Sequence, residues 1–170
     1  MVIKMLYYIN CFFFYSLMGF IMESDVFKIQ QVNVHSGIYY GPVTTVYGFG
    51  IIALLLIKKY IFEKLKCNKL LKLLITFILC ITSLTLIEFI GGNTLKILFN
   101  IDMWNYTKKQ FNFGKYICLE LSLAWGAMGC FFIYYGINFF NRFIKVIPKW
   151  FTYLITIIHL IDTTLVLITK

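Results

Sequence analysis

Residues 73–91 read LLITFILCITSLTLIEFIG, nineteen residues with a single charged side chain, Glu88, near the far end. A hydrocarbon core about 30 Å thick takes about 20 helical residues to cross. Inside lipid every backbone N–H and C=O has to be satisfied within the segment, so the run reads as a membrane-spanning helix. Working outward, the same criterion selects 5–22, 38–57, 116–140 and 150–168. The first of these follows a lysine, but it lacks a small-residue cleavage site and runs straight into Glu23, so it reads as a span rather than a signal peptide. The expected fold is all-α: a polytopic membrane protein with about five transmembrane helices in a single integral membrane domain over 1–170, arranged as two outward-facing helical hairpins plus a fifth helix.

Composition leads to the same class. The 170 residues are 61% apolar and 14% charged, against roughly 45–50% and about 25% in soluble domains, so a water-soluble fold lacks the polar surface to cover its apolar mass. Sixteen Lys+Arg against seven Asp+Glu give a net charge of +9. These cations sit between apolar blocks, and all but Arg142 are lysine. A phosphate-reading surface favours the bidentate fork of arginine, so no nucleic-acid partner is expected. Cys11, Cys67, Cys80, Cys118 and Cys130 form no CxxC or alternating Cys/His set; they read as small packing residues, with no metal site and no cofactor.

Lysine placement sets the orientation. The link between the second and third helices carries Lys58, Lys59, Lys64, Lys66, Lys69 and Lys72, and that between the fourth and fifth carries Arg142, Lys145 and Lys149. Placing both in the cytoplasm with Lys4 predicts a cell-membrane protein with a cytoplasmic amino terminus. Lys28, Lys96, Lys108, Lys109, Lys115 and Lys170 then lie outside. Glu23, Glu88 and Glu120 fall at one outer level, Asp25 and Asp102 in outer loops, and Asp162 two-thirds along the fifth helix. Carboxylates at membrane depth are costly unless paired or hydrated, which marks them as functional candidates. The expectation is an outer polar vestibule drawing on Glu23, Glu88 and Glu120, with Ser16 beside them and Trp104 and Asn105 in the aromatic second outer loop; the alternative is separate carboxylates neutralised by nearby lysines.

Helix faces identify packing surfaces. Phe12, Ser16, Gly19 and Glu23 share a face of the first helix. On the fourth, Cys118, Ser122, Gly126 and Cys130 form a ridge of small residues of the kind that lets membrane helices approach closely, and Glu120, roughly 200° from Cys118 on the wheel, lies off it. His159 and Asp162 share a face of the fifth helix, as a proton relay or as a stabilising hydrogen-bonded pair. The two halves echo one another, Glu23 leading to Gly37, Tyr47 and Gly48, and Glu88 leading to Gly114, Trp125 and Gly126. Such an echo arises from a parallel repeat or from chance.

Tyr15-Ser16 with Gly19 and Glu23, Gly37, Gly41-Pro42, Tyr47-Gly48-Phe49-Gly50, Glu88, Trp104-Asn105-Tyr106-Thr107, Phe111-Asn112, Ile117-Cys118-Leu119, Ser122-Leu123 and Trp125-Gly126 together resemble the bacterial CmpB family, described as type IV ABC-transporter permeases. The resemblance runs from Phe12 to Gly129 and leaves the fifth helix outside. The candidate packing and turn residues Gly19, Gly41, Pro42, Tyr47, Gly48, Cys118, Ser122 and Gly126 all fall within it. The chain departs from the family pattern at Ser36, Thr45, Lys96, Asn105 and Tyr116, where charges or a proline are expected.

Three functions emerge as expectations. The first is a permease-like subunit among membrane lipids, joined by other membrane subunits or its own copies, with ATP hydrolysed by a separate cytoplasmic ATPase because the sequence holds no G-x-x-x-x-G-K-[ST]. The second is a non-transporting regulator or assembly partner. The third, an enzyme using Glu23, Glu88 or Glu120, lacks HExxH, G-x-S-x-G or a nucleophile beside a base; the expectation is that the chain is not an enzyme.

Overall fold

The computed structural model describes residues 2–29 and 37–170, with side chains over 4–24 and 37–170. Ser36 lies outside the described residues, as do the side chains of Asp25 and Lys28. Five helical stretches are long and apolar enough to cross a membrane: Lys4–Ser24, Thr45–Phe62, Lys69–Phe99, Leu119–Ile144 and Lys149–Thr169. They are built from α1 (Val2–Ile29), α2 (Thr45–Ile57) extended by a π-helical turn Lys58–Phe62, α3 (Lys69–Phe99), α4 (Leu119–Phe131) extended by a second π-helical turn Phe132–Gly136 into α5 (Ile137–Ile144), and α6 (Lys149–Thr169). A short antiparallel hairpin, β1 (Asn112–Phe113) and β2 (Ile117–Cys118), precedes α4.

Several boundaries differ from the hydropathy reading, each for a local reason. The second helix begins at Thr45 rather than 38, because the Tyr40 and Gly41 amides are taken by the Asp162 carboxylate and Pro42 has no N–H to give. The fourth begins at Leu119 rather than 116, because Ile117 and Cys118 pair with Phe113 and Asn112. The third runs well past 73–91. Asn68 caps its start, accepting from the Leu71 amide at 2.7 Å, and Asn100 closes its end in the left-handed conformation with φ 55°, which asparagine adopts readily. Pro148, extended at φ −70° and ψ 149°, separates α5 from α6.

Contacts divide the chain into two compact units, Met1–Ile51 with Asn141–Lys170, and Ile52–Phe140. In the first, a Cβ on Gly19 would overlap the Tyr47 ring, and one on Gly48 would overlap Ser16 and Phe12. Glycine at these two positions brings α1 and the start of α2 into backbone-level contact. α6 presents Thr152, His159, Asp162 and Val166 inward, while Leu154, Ile158 and Leu165 are exposed. Thr152 donates to Asn10 Oδ1 of α1 at 2.7 Å, both side chains being buried.

In the second unit α3 and α4 pack antiparallel. Gly126 lies against Phe77 and Ile81, and Gly129 against Cys80 and Leu54. Cys118, Ser122 and Cys130 are buried on the same side of α4. At the far end the two π-helical turns meet: Lys58 Nζ donates to the Ile133 carbonyl at 2.9 Å and to Asn138 Oδ1 at 2.8 Å, and Phe62 packs edge-on against Tyr134. The two loops linking helix pairs fold differently: 37–44 contains no strand, whereas 112–118 forms the hairpin, turned at Gly114 with φ +68°.

Candidate functional site

Glu88 is the focus of the second unit. It sits on the buried face of α3 at 6% exposure, where a bare carboxylate would be costly. Tyr106 Oη donates to Oε1 at 2.7 Å, and Trp125 Nε1 donates to Oε2 at 3.1 Å. Three elements therefore converge on one carboxylate: α3 supplies the acid, the loop the phenol and α4 the indole. Both donors are neutral, so they satisfy one lone pair on each oxygen and leave Glu88 able to take up a proton or a cation.

The loop is held over Glu88 by its own chemistry. The Tyr106 amide donates to the Lys115 carbonyl at 2.8 Å. Asn105 Oδ1 accepts from the Thr107 amide at 3.0 Å and its hydroxyl at 2.8 Å, the local turn that asparagine favours. One turn along α3 from Glu88, Gly92 leaves room for the Tyr116 ring. The Tyr116 hydroxyl donates to Asp102 Oδ1 at 2.6 Å, and Asp102 also accepts from Lys115 at 2.6 Å and Lys96 at 3.4 Å. Lys115, then Tyr116 and Lys96, hold the Asp102 carboxyl down to about 2. The hydrogen bond to Asp102, with desolvation, pushes the Tyr116 phenol up to about 12.

Trp104 packs edge-on against Tyr116 beside Gly91; its Nε1 is buried without a hydrogen-bond partner among the described residues. Of the loop residues Tyr106 alone bonds Glu88; Trp104 packs on Tyr116, the exposed Asn105 turns back on Thr107, and Glu120, in the first turn of α4, is exposed. Among the described residues no group of three His, Cys, Asp or Glu side chains is placed to hold a metal ion.

In the first unit, Ser16 is fully buried against Gly48, and Glu23 is half-buried on α1. The carboxylate of greatest consequence here is Asp162. Its two oxygens accept from the consecutive amides of Tyr40 and Gly41 at 3.0 and 2.8 Å. This corrects the expected His159–Asp162 pair: His159 instead lies among the rings of Phe12, Phe13 and Tyr39, with Nδ1 buried and unpartnered among the described residues. The end of α6 grips the same segment, Lys170 Nζ donating to the Ile38 carbonyl at 2.8 Å and Thr169 Oγ1 lying 2.8 Å from the Tyr40 hydroxyl.

Sequence reasoning found Glu88 but missed its partners. The available signal was chemical: Tyr and Trp side chains buried in a membrane need an acceptor for O–H and N–H, and Glu88 is the one carboxylate of α3. For Asp162 the signal was Gly41-Pro42, which interrupts the helix and leaves amides to be satisfied.

A family model described as "Putative ABC-transporter type IV" matches residues 10–169. The match takes in α5 and α6, so the fifth membrane-crossing helix lies inside the family pattern, correcting the narrower stretch from Phe12 to Gly129. No curated protein and no solved structure matches the chain. Matched over nearly all of its length and built on five apolar helices of membrane-crossing length, the chain belongs to the CmpB family of ABC-transporter proteins.

Proposed function

We propose that the chain is the membrane-spanning, permease-type subunit of an ABC transporter in the cell membrane, with its amino terminus in the cytoplasm and no catalytic chemistry of its own. ATP is hydrolysed by a separate chain, docked at the lysine-rich link between α2 and α3. Five helices are few to enclose a pathway, so the working unit includes further copies or other membrane subunits. The family match across all five spans carries this reading. Glu88 supports it as a buried, exchangeable carboxylate, the type of group that membrane pathways use. Affinity purification from native membranes in mild detergent tests it: a P-loop ATPase is expected to co-purify. A reproducible partner complex lacking any such ATPase overturns the reading.

A second reading, a non-transporting regulator or assembly partner, is favoured by the internal engagement of both Asp162 oxygens and both Glu88 oxygens. Carboxylates so engaged serve packing as readily as transport. The Glu23→Gln and Glu88→Gln variants separate the two: a pathway subunit loses transport while still folding, and a regulator keeps its activity.

A further inference from the structure

Beside the Glu88 site, on the surface of the second unit, lies an open apolar groove of about 500 Å³. Thr82, Thr85, Leu86 and Phe89, spaced along one face of α3, form one wall, and Phe111 and Phe113 of the loop form the other. Its volume falls in the range of small-molecule sites, about 300–1,000 Å³. Phe113 is 77% exposed and Phe111 57%, so the rings stand out from the protein in the loop between two membrane-crossing helices, the kind of position in which aromatic side chains meet lipid headgroups. Thr85 Oγ1, in the α3 wall, is buried without a hydrogen-bond partner among the described residues.

Two features decide what fills it. A packing helix needs a continuous seam of small side chains; on this face of α3 Thr82 and Thr85 are interrupted by Leu86 and Phe89, and the opposite wall combines the rings of Phe111 and Phe113 with Ser122 of α4. The groove is therefore shaped for a flexible chain. The turn leading into Phe111 carries Lys108 and Lys109, both exposed; it is pinned at Lys109, whose N–H donates to the Tyr106 carbonyl and whose carbonyl accepts from Asn112 Nδ2. The neighbouring cations, Lys96 in the last turn of α3 and Lys115 in the loop, pair with Asp102; among the described residues no carboxylate pairs with Lys108 or Lys109.

We propose that this groove binds one acyl chain of an anionic phospholipid, whose headgroup is held by Lys108 and Lys109. The inference does not depend on the permease reading, since a regulator would bind the same lipid.

The test uses the full-length protein in phosphatidylcholine nanodiscs containing a phosphatidylglycerol with a diazirine in its acyl chain; after photolysis the labelled peptides are identified by mass spectrometry. A phosphatidylcholine bearing the same chain is run in parallel. Labels are expected to concentrate in 81–89 and 111–122, with phosphatidylglycerol ahead. Replacing Lys108 and Lys109 by Gln is expected to lower that preference by about fivefold per lysine, the Boltzmann factor for a basic residue near an anionic surface. Thr85→Phe fills the groove and is expected to suppress labelling there for both lipids while leaving labelling of α6 unchanged. Should Thr85→Phe fail to fold, the paired lysine variant decides alone, because both side chains are exposed. Uniform labelling of the exposed α3 and α6 faces without headgroup preference overturns the proposal. So does the absence of groove labelling together with disulfide-linked dimers of Thr82→Cys, which would identify a second copy as the occupant.

Discussion

A carboxylate at membrane depth persists only when its oxygens are satisfied, and Glu88 has one neutral donor on each. Tyr106→Phe removes a single hydroxyl and strands Oε1; it is expected to destabilise the protein by about 1–2 kcal/mol, read from unfolding in SDS, and an unchanged unfolding midpoint would show that the bond is dispensable. Asp102 makes a pH-dependent counterpart in the loop. Its carboxyl is held down to about 2, below its ordinary value near 4. The folded state therefore favours the ionised form, and its contribution is complete above about pH 4 and lost as pH falls towards 2. Pepsin cleavage within residues 100–118 is expected to rise across that window, and in Asp102→Asn to be already high at pH 4 and flat below it. At this scale the sequence showed which acids are scarce but not what satisfies them. Glu88 stood out as an isolated charge in an apolar run, whereas Tyr106 and Trp125 lie 18 and 37 residues away, and only the fold brings them together.

Among the elements, helices were legible because lipid forces backbone satisfaction within each segment, and their ends were legible only where a cap or proline speaks locally. Pro148 marks such an end, whereas hydropathy places the start of the third helix at 73, four residues past the one that Asn68 caps. The start of α2 could not be read so directly, because the donor-accepting group that unwinds 38–44 is Asp162, more than a hundred residues later. The α3–α4 register offers a direct check. Gly129 packs on Cys80 Cβ and Sγ with Cys130 next to it in the chain, so mild oxidation with iodine is expected to join Cys80 and Cys130. PEG-maleimide counting after denaturation would then show two of the five cysteines protected. Five reactive thiols after oxidation would mean that the register differs.

For the whole molecule, composition and hydropathy established membrane residence and five spans, and charge distribution supplied an orientation that no contact within the chain can report. Cys67 is suited to testing it: it lies in the lysine-rich link and is partly exposed, while the other four cysteines are buried. With that link in the cytoplasm, a membrane-impermeant maleimide is expected to label Cys67 only after cells are permeabilised. Labelling in intact cells would invert the topology. The family pattern adds what hydropathy could not, that the fifth span belongs with the other four across residues 10–169.

The paired π-helical turns at Lys58–Phe62 and Phe132–Gly136 bear on how this chain tolerates insertion and deletion. A π-helical turn is an α-helix carrying one surplus residue, so each of these helices holds a spare position that can be removed without rotating the residues beyond it. Deleting Tyr60 or Tyr135, both exposed, is expected to leave a folded protein with a plain α-helix at that point. Deleting one residue from the middle of α3 would turn every later side chain by roughly 100° and carry Glu88 away from Tyr106. Comparing expression and SDS-unfolding midpoints of the three deletions would show the difference. Of the helices named, those tied by Lys58 are thus the ones in which a change of length need not become a change of face.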